Sequence, residues 1–248
     1  MPRTKLYFAS DFHLGVPTHA KSLEREKRII AWLDSIKEDA KSIYLLGDIF
    51  DFWFEYKTVV PKGYVRILAK LAKLVDDGIK INIIKGNHDL WMYDYFPKEI
   101  GVNILEDKTI LKENGKQIFL AHGDGLGPGD LGYKLIKKVF ESSICQWLFA
   151  RLHPNFGIGI AQFWSKKSRI GNQEKPDPFL GEEKEWLVSY CKRKKNEINI
   201  DYFVFGHRHL PLEITIDEKT KYINIGDWIH HNSYAVFDEG ELTLQYFK

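Results

Sequence analysis

Five short polar blocks follow apolar runs in this chain, and all of them contain residue types that commonly bind metal ions. The blocks are Asp11-Phe12-His13, Gly47-Asp48, Gly86-Asn87-His88-Asp89, His122-Gly123-Asp124 and Gly206-His207-Arg208-His209. Carboxylate, amide and imidazole ligands together suit Mn, Fe, Zn or Ni better than Ca or a metal that prefers thiolates. Because the ends of separate strands can meet in one crevice, the blocks predict one metal centre built from distant parts of the chain.

Spacing within the blocks indicates how the ligands could work together. Asp11 and His13 are two residues apart, as are His207 and His209. On an extended segment such a pair points to one side, so we expect each pair to hold an ion jointly. Asp48 follows a glycine at a predicted strand end, where its carboxylate can bridge two ions. Two ions roughly 3.5–4 Å apart can acidify a water and stabilise an in-line displacement at phosphorus, which predicts phosphoester hydrolysis.

Alternating strands and helices are predicted to position these blocks. Each block follows a β-like run, and apolar residues recur at helical spacing over 22–37 and 64–75. Strand, helix and strand in this order favour parallel pairing, so the predicted fold class is α/β, with β-sheets flanked by helices. A hairpin is predicted over 104–120, turned at Asn114-Gly115. A final helix over 182–194, a fifth strand and a β-rich tail complete the chain.

One segment breaks this rhythm. Residues 128–179 are rich in aromatic, aliphatic and basic residues and show no strand followed by a polar block. We predict a helical insertion over the site, so that the core domain consists of residues 1–127 and 180–248.

Composition limits the classes of protein to consider. The chain has 248 residues of which 44% are apolar, enough to bury a sizeable core. A formal net charge of +2 argues against a general nucleic-acid binder. The two cysteines suggest neither a disulfide framework nor a zinc site. No signal peptide and no apolar run of ~18 residues are evident, so we expect a cytoplasmic protein. Peripheral contact with the inner membrane stays open, and the oligomeric state is not indicated.

The five blocks, in this order, resemble the calcineurin-like metallophosphoesterase superfamily. The matching motifs are D-x-H, G-D, G-N-H-D, H-G-D and G-H-x-H, and they span residues 11 to 209. The resemblance implies a metallophosphoesterase-type core with two divalent ions, for which manganese is the expected metal. The implied ligands are Asp11, His13, Asp48 and His209 for the first ion, and Asp48, Asn87, His122 and His207 for the second. Asp48 would then be the shared ligand.

Within the superfamily the chain resembles the UDP-2,3-diacylglucosamine pyrophosphatase family of lipid A synthesis. Gly47-Asp48-Ile49-Phe50-Asp51, the insertion after His122-Gly123-Asp124, and Gly226-Asp227-Trp228 support this. Asp130 lies eight residues after His122, where the family has a substrate-contacting acid. Ser168, Asn172 and Lys175 reproduce the spacing S-x3-N-x2-K of the family's substrate-binding insert.

The family resemblance also implies a substrate and the residues that bind it. The substrate would be a nucleotide-sugar lipid, cleaved at its pyrophosphate to UMP and 2,3-diacylglucosamine 1-phosphate. The apolar residues of the insertion are what a diacyl substrate would need around its chains. The implied substrate-binding residues are Asn87, His88, Asp130, Ser168, Asn172, Lys175 and His207.

His88 departs from the family pattern, which typically has an arginine after the motif asparagine. In the wider superfamily a histidine is usual there, read as an acid for the leaving oxygen or a phosphate contact. His88 and Asp48 are therefore the candidate catalytic residues. Asp51, Asp89 and Asp124 are expected to orient ligands or cap the backbone rather than to bind metal.

Two other functions stay open. His88 could equally mark a phosphatase or phosphodiesterase for another substrate, such as a nucleotide. A non-catalytic scaffold that binds partners is the third reading. The intact ligand set argues against it, since a scaffold need not retain every metal ligand.

Overall fold

The computed structural model describes residues 3–127, 131–170 and 178–248, and for residues 131–133, 162 and 164–170 only the backbone. The strands are β1 (Lys5–Ala9), β2 (Ala40–Leu46), β3 (Lys80–Ile84), β4 (Asn103–Ile104), β5 (Lys108–Glu113), β6 (Lys116–Ala121), β7 (Tyr202–Phe205), β8 (Pro211–Thr215), β9 (Lys221–Ile225), β10 (Ser233–Asp238) and β11 (Glu241–Tyr246). The helices are α1 (His19–Ile36), α2 (Val65–Asp76), α3 (Leu131–Glu141), α4 (Ser143–Phe149), α5 (Pro154–Ile170) and α6 (Trp186–Lys195). In the described ranges, no helix is both long enough and apolar enough to cross a bilayer.

Two β-sheets form the centre of the protein. The first has six strands in the order β11-β10-β1-β2-β3-β4, and the second has five in the order β5-β6-β7-β9-β8. Strands β1 to β4 pair in parallel, as do β6, β7 and β9, while β5, β8, β10 and β11 pair with antiparallel neighbours. The predicted α/β class with parallel pairing is therefore confirmed.

The core lies in three layers because side chains alternate between the two faces of each strand. On strand β1, Leu6 and Phe8 pack between the two sheets. Tyr7 and Ala9 point the other way, toward the side chains of α1 and α2. Helix α6 covers the outer face of the second sheet with Leu187 and other buried residues. Each fully buried large apolar side chain stabilises this arrangement by roughly 1.5–3 kcal/mol.

The predicted hairpin turns where the sequence indicated, but its first strand begins later. Asn114 and Gly115 have φ values of 46° and 75° between β5 and β6, as the preferred two-residue hairpin turn requires. Asn103 and Ile104 instead pair with β3 in the first sheet. The chain passes to the second sheet after this short pairing, so the predicted start at residue 104 was wrong.

The last predicted helix also begins later than expected. Glu182–Lys184 form a separate 3₁₀ turn, and Glu185 has an extended backbone with ψ at 102°. Helix α6 therefore begins only at Trp186. The buried carboxylate of Glu185 makes paired contacts with the guanidinium of Arg208 at 3.0 and 3.2 Å, which explains why this residue turns away from the helix.

Helices α3, α4 and α5 lie in the segment for which a helical insertion was predicted. Aromatic rings join them to the core. The ring of Phe149 lies 5.0 Å from that of Trp91 and 4.7 Å from that of Phe54. The indole N–H of Trp91 donates to the carbonyl oxygen of Phe140 at 2.8 Å. The insertion is thus packed against the segments that follow Asp48 and Asn87. The domain boundaries themselves remain a prediction.

Candidate metal centre

The predicted metal ligands lie just beyond the carboxyl ends of five strands. Asp11, Asp48 and His207 each stand two residues after β1, β2 and β7, respectively. Asn87 follows β3 and His122 follows β6. Parallel pairing within each sheet places these ends at one edge, and the packing of the two sheets brings both edges together. The structure therefore assembles all seven predicted ligands in one place.

The first cluster consists of Asp11, His13, Asp48 and His209, whose ligand atoms all lie within 4.8 Å of one another. The Nε2 atoms of His13 and His209 are 3.0 Å apart. Oδ1 of Asp11 lies 3.0 Å from Nε2 of His209 and 3.6 Å from Nε2 of His13. Two imidazole nitrogens and a carboxylate oxygen thus face a common point.

The second cluster consists of Asp48, Asn87, His122 and His207. Nε2 of His122 lies 3.4 Å from Oδ2 of Asp48 and 3.1 Å from Oδ1 of Asn87. Nδ1 of His207 lies 3.2 Å from the same His122 nitrogen. This is a second convergence of carboxylate, amide and imidazole ligands.

Asp48 belongs to both clusters through a single carboxylate oxygen. Oδ2 lies 3.6 Å from Nε2 of His13 and 3.4 Å from Nε2 of His122. Oδ1 accepts a hydrogen bond from the backbone N–H of His88 at 2.9 Å. The backbone therefore fixes the carboxylate and leaves one oxygen directed at both clusters, as a bridging ligand requires.

This donor set fits two divalent cations. Asp11, His13, Asp48 and His122 are each no more than 1% exposed, and buried carboxylates require a charge partner. Mixed oxygen and imidazole ligands match the preferences of Mn, Fe, Zn and Ni.

Orientation of the rings follows from contacts on their far sides. The Nδ1–H of His122 donates to the carbonyl oxygen of Leu46 at 2.7 Å, which leaves Nε2 for the site. Nδ1 of His13 lies 3.8 Å from Oδ1 of Asp51. Nδ1 of His88 lies 2.9 Å from the carbonyl oxygen of the same aspartate. Asp51 thus stands behind two imidazoles, in the orienting position expected for it.

The backbone at five of the ligands is not extended, so the extended geometry expected for the ligand pairs was wrong. Asp11, His13, Asp48, His207 and His209 have φ values of 55°, 42°, 53°, 64° and 53°. These left-handed conformations cost on the order of 1–3 kcal/mol each and are concentrated at functional sites. Asp11 and His13 meet in the first cluster because sharp turns aim them, not because alternate residues on a strand share a face. His209 joins the first cluster and His207 the second, so the expectation that these two histidines hold one ion jointly was wrong.

Tight approach of the ligand loops requires glycine at one of these turns. Gly47 has a φ of 85°, and a Cβ there would lie 2.6 Å from Nδ1 of His122 and 2.6 Å from the Cα of Gly86. Any larger residue would push apart the strand ends that carry Asp48 and His122.

Asp89 ties two of the ligand loops together. Its fully buried carboxylate accepts hydrogen bonds from the N–H groups of Gly86 and Ile49, both at 2.8 Å. Burial and the charge of Asp48 raise the pKa of Asp89 to about 6. The expectation that Asp89 caps the backbone is confirmed.

Charges within the site shift the pKa values of the ligands strongly. Burial opposes ionisation of Asp48, but the imidazoles of His122 and His88 outweigh it and hold the pKa of Asp48 well below its usual range. Burial also opposes the charged form of His122, yet Asp48 and Asp11 raise the pKa of this imidazole to about 10. Burial and the charge of His122 lower the pKa of His207 to about 4. A cation that binds at His122 must therefore displace a proton.

Several supporting residues were not identified from the sequence. Asp227, fully buried, accepts hydrogen bonds from the N–H groups of His230 and His231, both at 3.0 Å. Its Oδ2 lies 3.9 Å from Nδ1 of His209. Asn224 donates to the carbonyl oxygen of Gly206 at 2.6 Å. The sequence analysis singled out Gly226-Asp227-Trp228 as a family motif, but the motif did not indicate that Asp227 lies behind His209.

The predicted substrate-binding residues divide into two groups. Asn87, His88 and His207 lie at the metal centre. Asp130, Asn172 and Lys175 fall outside the described residues. Ser168 lies in helix α5, where the structure describes only its backbone.

Two packed sheets with flanking helices, and two ligand clusters that share a carboxylate, define the class of metal-dependent phosphoesterases. The sequence profile described as calcineurin-like phosphoesterase matches residues 4–211. The chain belongs to the calcineurin-like phosphoesterase family and is a metal-dependent hydrolase.

Named relatives match the chain almost from end to end. A protein of Porphyromonas gingivalis named UDP-2,3-diacylglucosamine hydrolase is 37% identical over 255 residues, covering 98% of this chain and 97% of the relative. Proteins with the same name from a Shewanella species and from Neisseria meningitidis serogroup A are each 28% identical. They cover 96% and 92% of this chain, and 95% and 91% of their own lengths. The resemblance inferred from the motifs is confirmed.

Proposed function

We propose that this protein cleaves the pyrophosphate of UDP-2,3-diacylglucosamine to UMP and 2,3-diacylglucosamine 1-phosphate. The observation that carries the proposal is the full-length match to proteins of that name, at 37% identity for the Porphyromonas gingivalis relative. The shared carboxylate of Asp48, aimed at both clusters, supports chemistry at phosphorus.

The residues of the site suit an in-line displacement. Two divalent ions in the clusters would supply an activated water and balance the charge that develops on the phosphoryl oxygens. Asp48 would hold both ions in register through one oxygen. Asn87 and His207 would hold the second ion, and both would also contact the phosphoryl group of the substrate. These ligand roles are part of the proposal.

His88 is placed to assist the departing oxygen. Its Nδ1 is directed at the carbonyl oxygen of Asp51 at 2.9 Å, so Nε2 is the nitrogen available to a substrate. The side chain is 21% exposed, whereas His13 beside it is 1% exposed. We assign His88 the role of donating a proton, or a hydrogen bond, to the leaving sugar phosphate.

Manganese is the metal we propose. Each cluster offers two oxygen-bearing ligands and two imidazoles, a set that suits manganese, and iron, zinc and nickel are the alternatives. Rates of ester hydrolysis after loading the metal-free protein with each ion in turn would identify the most active form. A protein active with zinc and inactive with manganese would contradict the assignment.

The insertion supports the lipid half of the proposal. Ile144, Trp147 and Phe156 are 70%, 56% and 61% exposed, an unusual amount of apolar surface for side chains that face water. The guanidinium of Arg151 lies 4.7 Å from the centre of the Trp147 ring. We propose that residues 128–179 form the cap that holds the acyl chains. A cytoplasmic protein in peripheral contact with the inner membrane is consistent with this surface.

His88 is the one residue that favours a second candidate function. A histidine where the lipid A family typically has arginine would suit a phosphatase or phosphodiesterase that acts on a nucleotide. The converging ligands and the hydrolase names of the relatives favour either enzyme over a non-catalytic scaffold.

Product analysis tests the proposal directly. Purified protein loaded with manganese should convert UDP-2,3-diacylglucosamine to UMP and the diacylated sugar 1-phosphate, identified by mass spectrometry. Release of UDP instead would show cleavage at the sugar and would refute the proposed reaction.

A further inference from the structure

A cavity of about 520 Å³ lies beside the second cluster. The loop after β6, from His122 to Leu126, forms one wall, and Lys85 at the end of β3 forms another. Asp107 and Lys108 close it at the start of β5. Helix α3 forms the remaining side. The cavity volume is in the range typical of small-molecule sites.

One face of α3 supplies polar residues to this cavity. Lys134, Lys137, Lys138 and Glu141 all line it, and their spacing of three, four and seven residues places them on one side of a helix. Together with Lys85 and Lys108, these residues line the cavity with lysines from three separate parts of the chain.

Positive charge is in excess among these residues. Five lysines and three carboxylates line the cavity. Lys137 is committed to protein contacts, since its Nζ lies 2.7 Å from Oδ2 of Asp124. Lys134 donates to the carbonyl oxygen of Gly127 at 2.7 Å. Within residues 3–127, 131–170 and 178–248, Lys85, Lys108 and Lys138 make no ion pair.

We infer that this cavity binds the nucleoside half of the substrate while its phosphate lies at the metal centre. His122 belongs both to the second cluster and to the cavity wall, so one ligand can reach both. Lysine ammonium groups can donate to uracil carbonyl oxygens, and Asp107 and Glu141 can accept from ribose hydroxyls. Leu126 and Leu135 offer apolar contact to a base.

The two halves of the substrate thus have different surroundings. Exposed apolar side chains, such as Trp147 and Phe156, belong to α4 and α5 and suit acyl chains. The lysine-lined side of α3 suits a nucleotide. This inference rests on the proposed function, because it takes the identity of the nucleotide from the proposed substrate.

Competition between ligands tests the cavity without the lipid. Hydrolysis of bis(4-nitrophenyl) phosphate by the manganese-loaded full-length protein serves as the assay, in which the inhibition constants of UMP and of inorganic phosphate are measured. In the double variant Lys108→Ala/Lys138→Ala, we expect the UMP constant to rise about tenfold, as for the loss of roughly 1.4 kcal/mol of binding. The inhibition constant of inorganic phosphate should stay unchanged, and the rate of ester hydrolysis is measured in both enzymes for comparison.

Lys62→Ala/Lys112→Ala is the matched control, because both lysines are exposed and lie outside the cavity. It should leave all three values unchanged. Equal weakening of UMP and phosphate, or no change in either, would overturn the inference.

Failure of the proposed function would look different. A wild-type enzyme that does not cleave UDP-2,3-diacylglucosamine, yet shows the selective loss of UMP inhibition in the variant, would support the cavity and refute the substrate.

Discussion

Oδ2 of Asp48 lies 3.4 Å from Nε2 of His122, and these two residues end strands of different sheets. The packing of one sheet on the other therefore sets the distance between ligands of the second cluster. Side chains between the sheets, such as Phe8 and Leu46, act on the metal centre through this spacing. The site depends on the whole core and not only on its loops.

Replacement of Asp48 should affect both clusters. Because Oδ2 alone faces both, Asp48→Asn removes the charge that the two ions would share. Mutation of a residue that merely supports a metal ligand typically lowers metal affinity or activity 10–100-fold. For the shared ligand itself we expect kcat/KM for bis(4-nitrophenyl) phosphate to fall by at least about a hundredfold. Bound metal, measured by mass spectrometry, should fall as well. Asp76→Asn, at an exposed position, is the control, and an active Asp48→Asn enzyme with two ions bound would contradict the shared-ligand assignment.

Asp227→Asn tests a residue that supports His209. Oδ1 accepts from the N–H groups of His230 and His231, and an asparagine oxygen can keep those bonds. The amide nitrogen that replaces Oδ2 removes the negative charge that lies 3.9 Å from Nδ1 of His209. Metal affinity should fall roughly 10–100-fold, measured by titration of the metal-free protein. Unchanged affinity with lower thermal stability would show a purely structural role.

Removal of the metal should destabilise the fold. Five of the seven proposed ligands have left-handed backbones, and the two aspartates among the ligands are buried. Ions at a hundred to a thousand times their dissociation constant stabilise the folded state by roughly 2.7–4.1 kcal/mol. A chelator should therefore lower Tm, and added manganese should restore it. A Tm that does not respond to either would show that the clusters are not occupied.

Trp91→Phe separates the insertion from the metal chemistry. The phenyl ring keeps most of the contact with Phe149, but the hydrogen bond from the indole N–H to Phe140 is lost. We expect about 1 kcal/mol of lost stability and a higher KM for the lipid substrate. Hydrolysis of the small aryl ester should not change. Equal losses on both substrates would mean that Trp91 supports the metal loop directly.

Local patterns were sufficient to predict the fold class and the ligands' location. Asn114-Gly115 marked a hairpin turn because few other dipeptides tolerate its conformation, and the alternation of strand, polar block and helix indicated a parallel sheet. The polar blocks came together because parallel strands share a carboxyl edge. These features depend on short segments, which a single sequence contains in full.

Features that depend on distant contacts were not predictable. The turn conformations at Asp11 and His13 follow from packing between strand ends, so the extended geometry expected for them was wrong. Glu185 begins no helix because it contacts Arg208, which lies 23 residues away in the sequence. Asp227 and His209 likewise meet only in the folded chain. None of these pairings leaves a periodic signal in the sequence.

The ratio of kcat/KM for UDP-2,3-diacylglucosamine to that for an unacylated UDP-sugar tests the central claim most directly. Both substrates carry the same pyrophosphate and uridine, so the ratio isolates the contribution of the acyl chains. With manganese-loaded wild-type protein, the diacylated substrate should be cleaved far more efficiently, and UMP should be the nucleotide product. Equal or faster cleavage of the unacylated substrate would contradict the account.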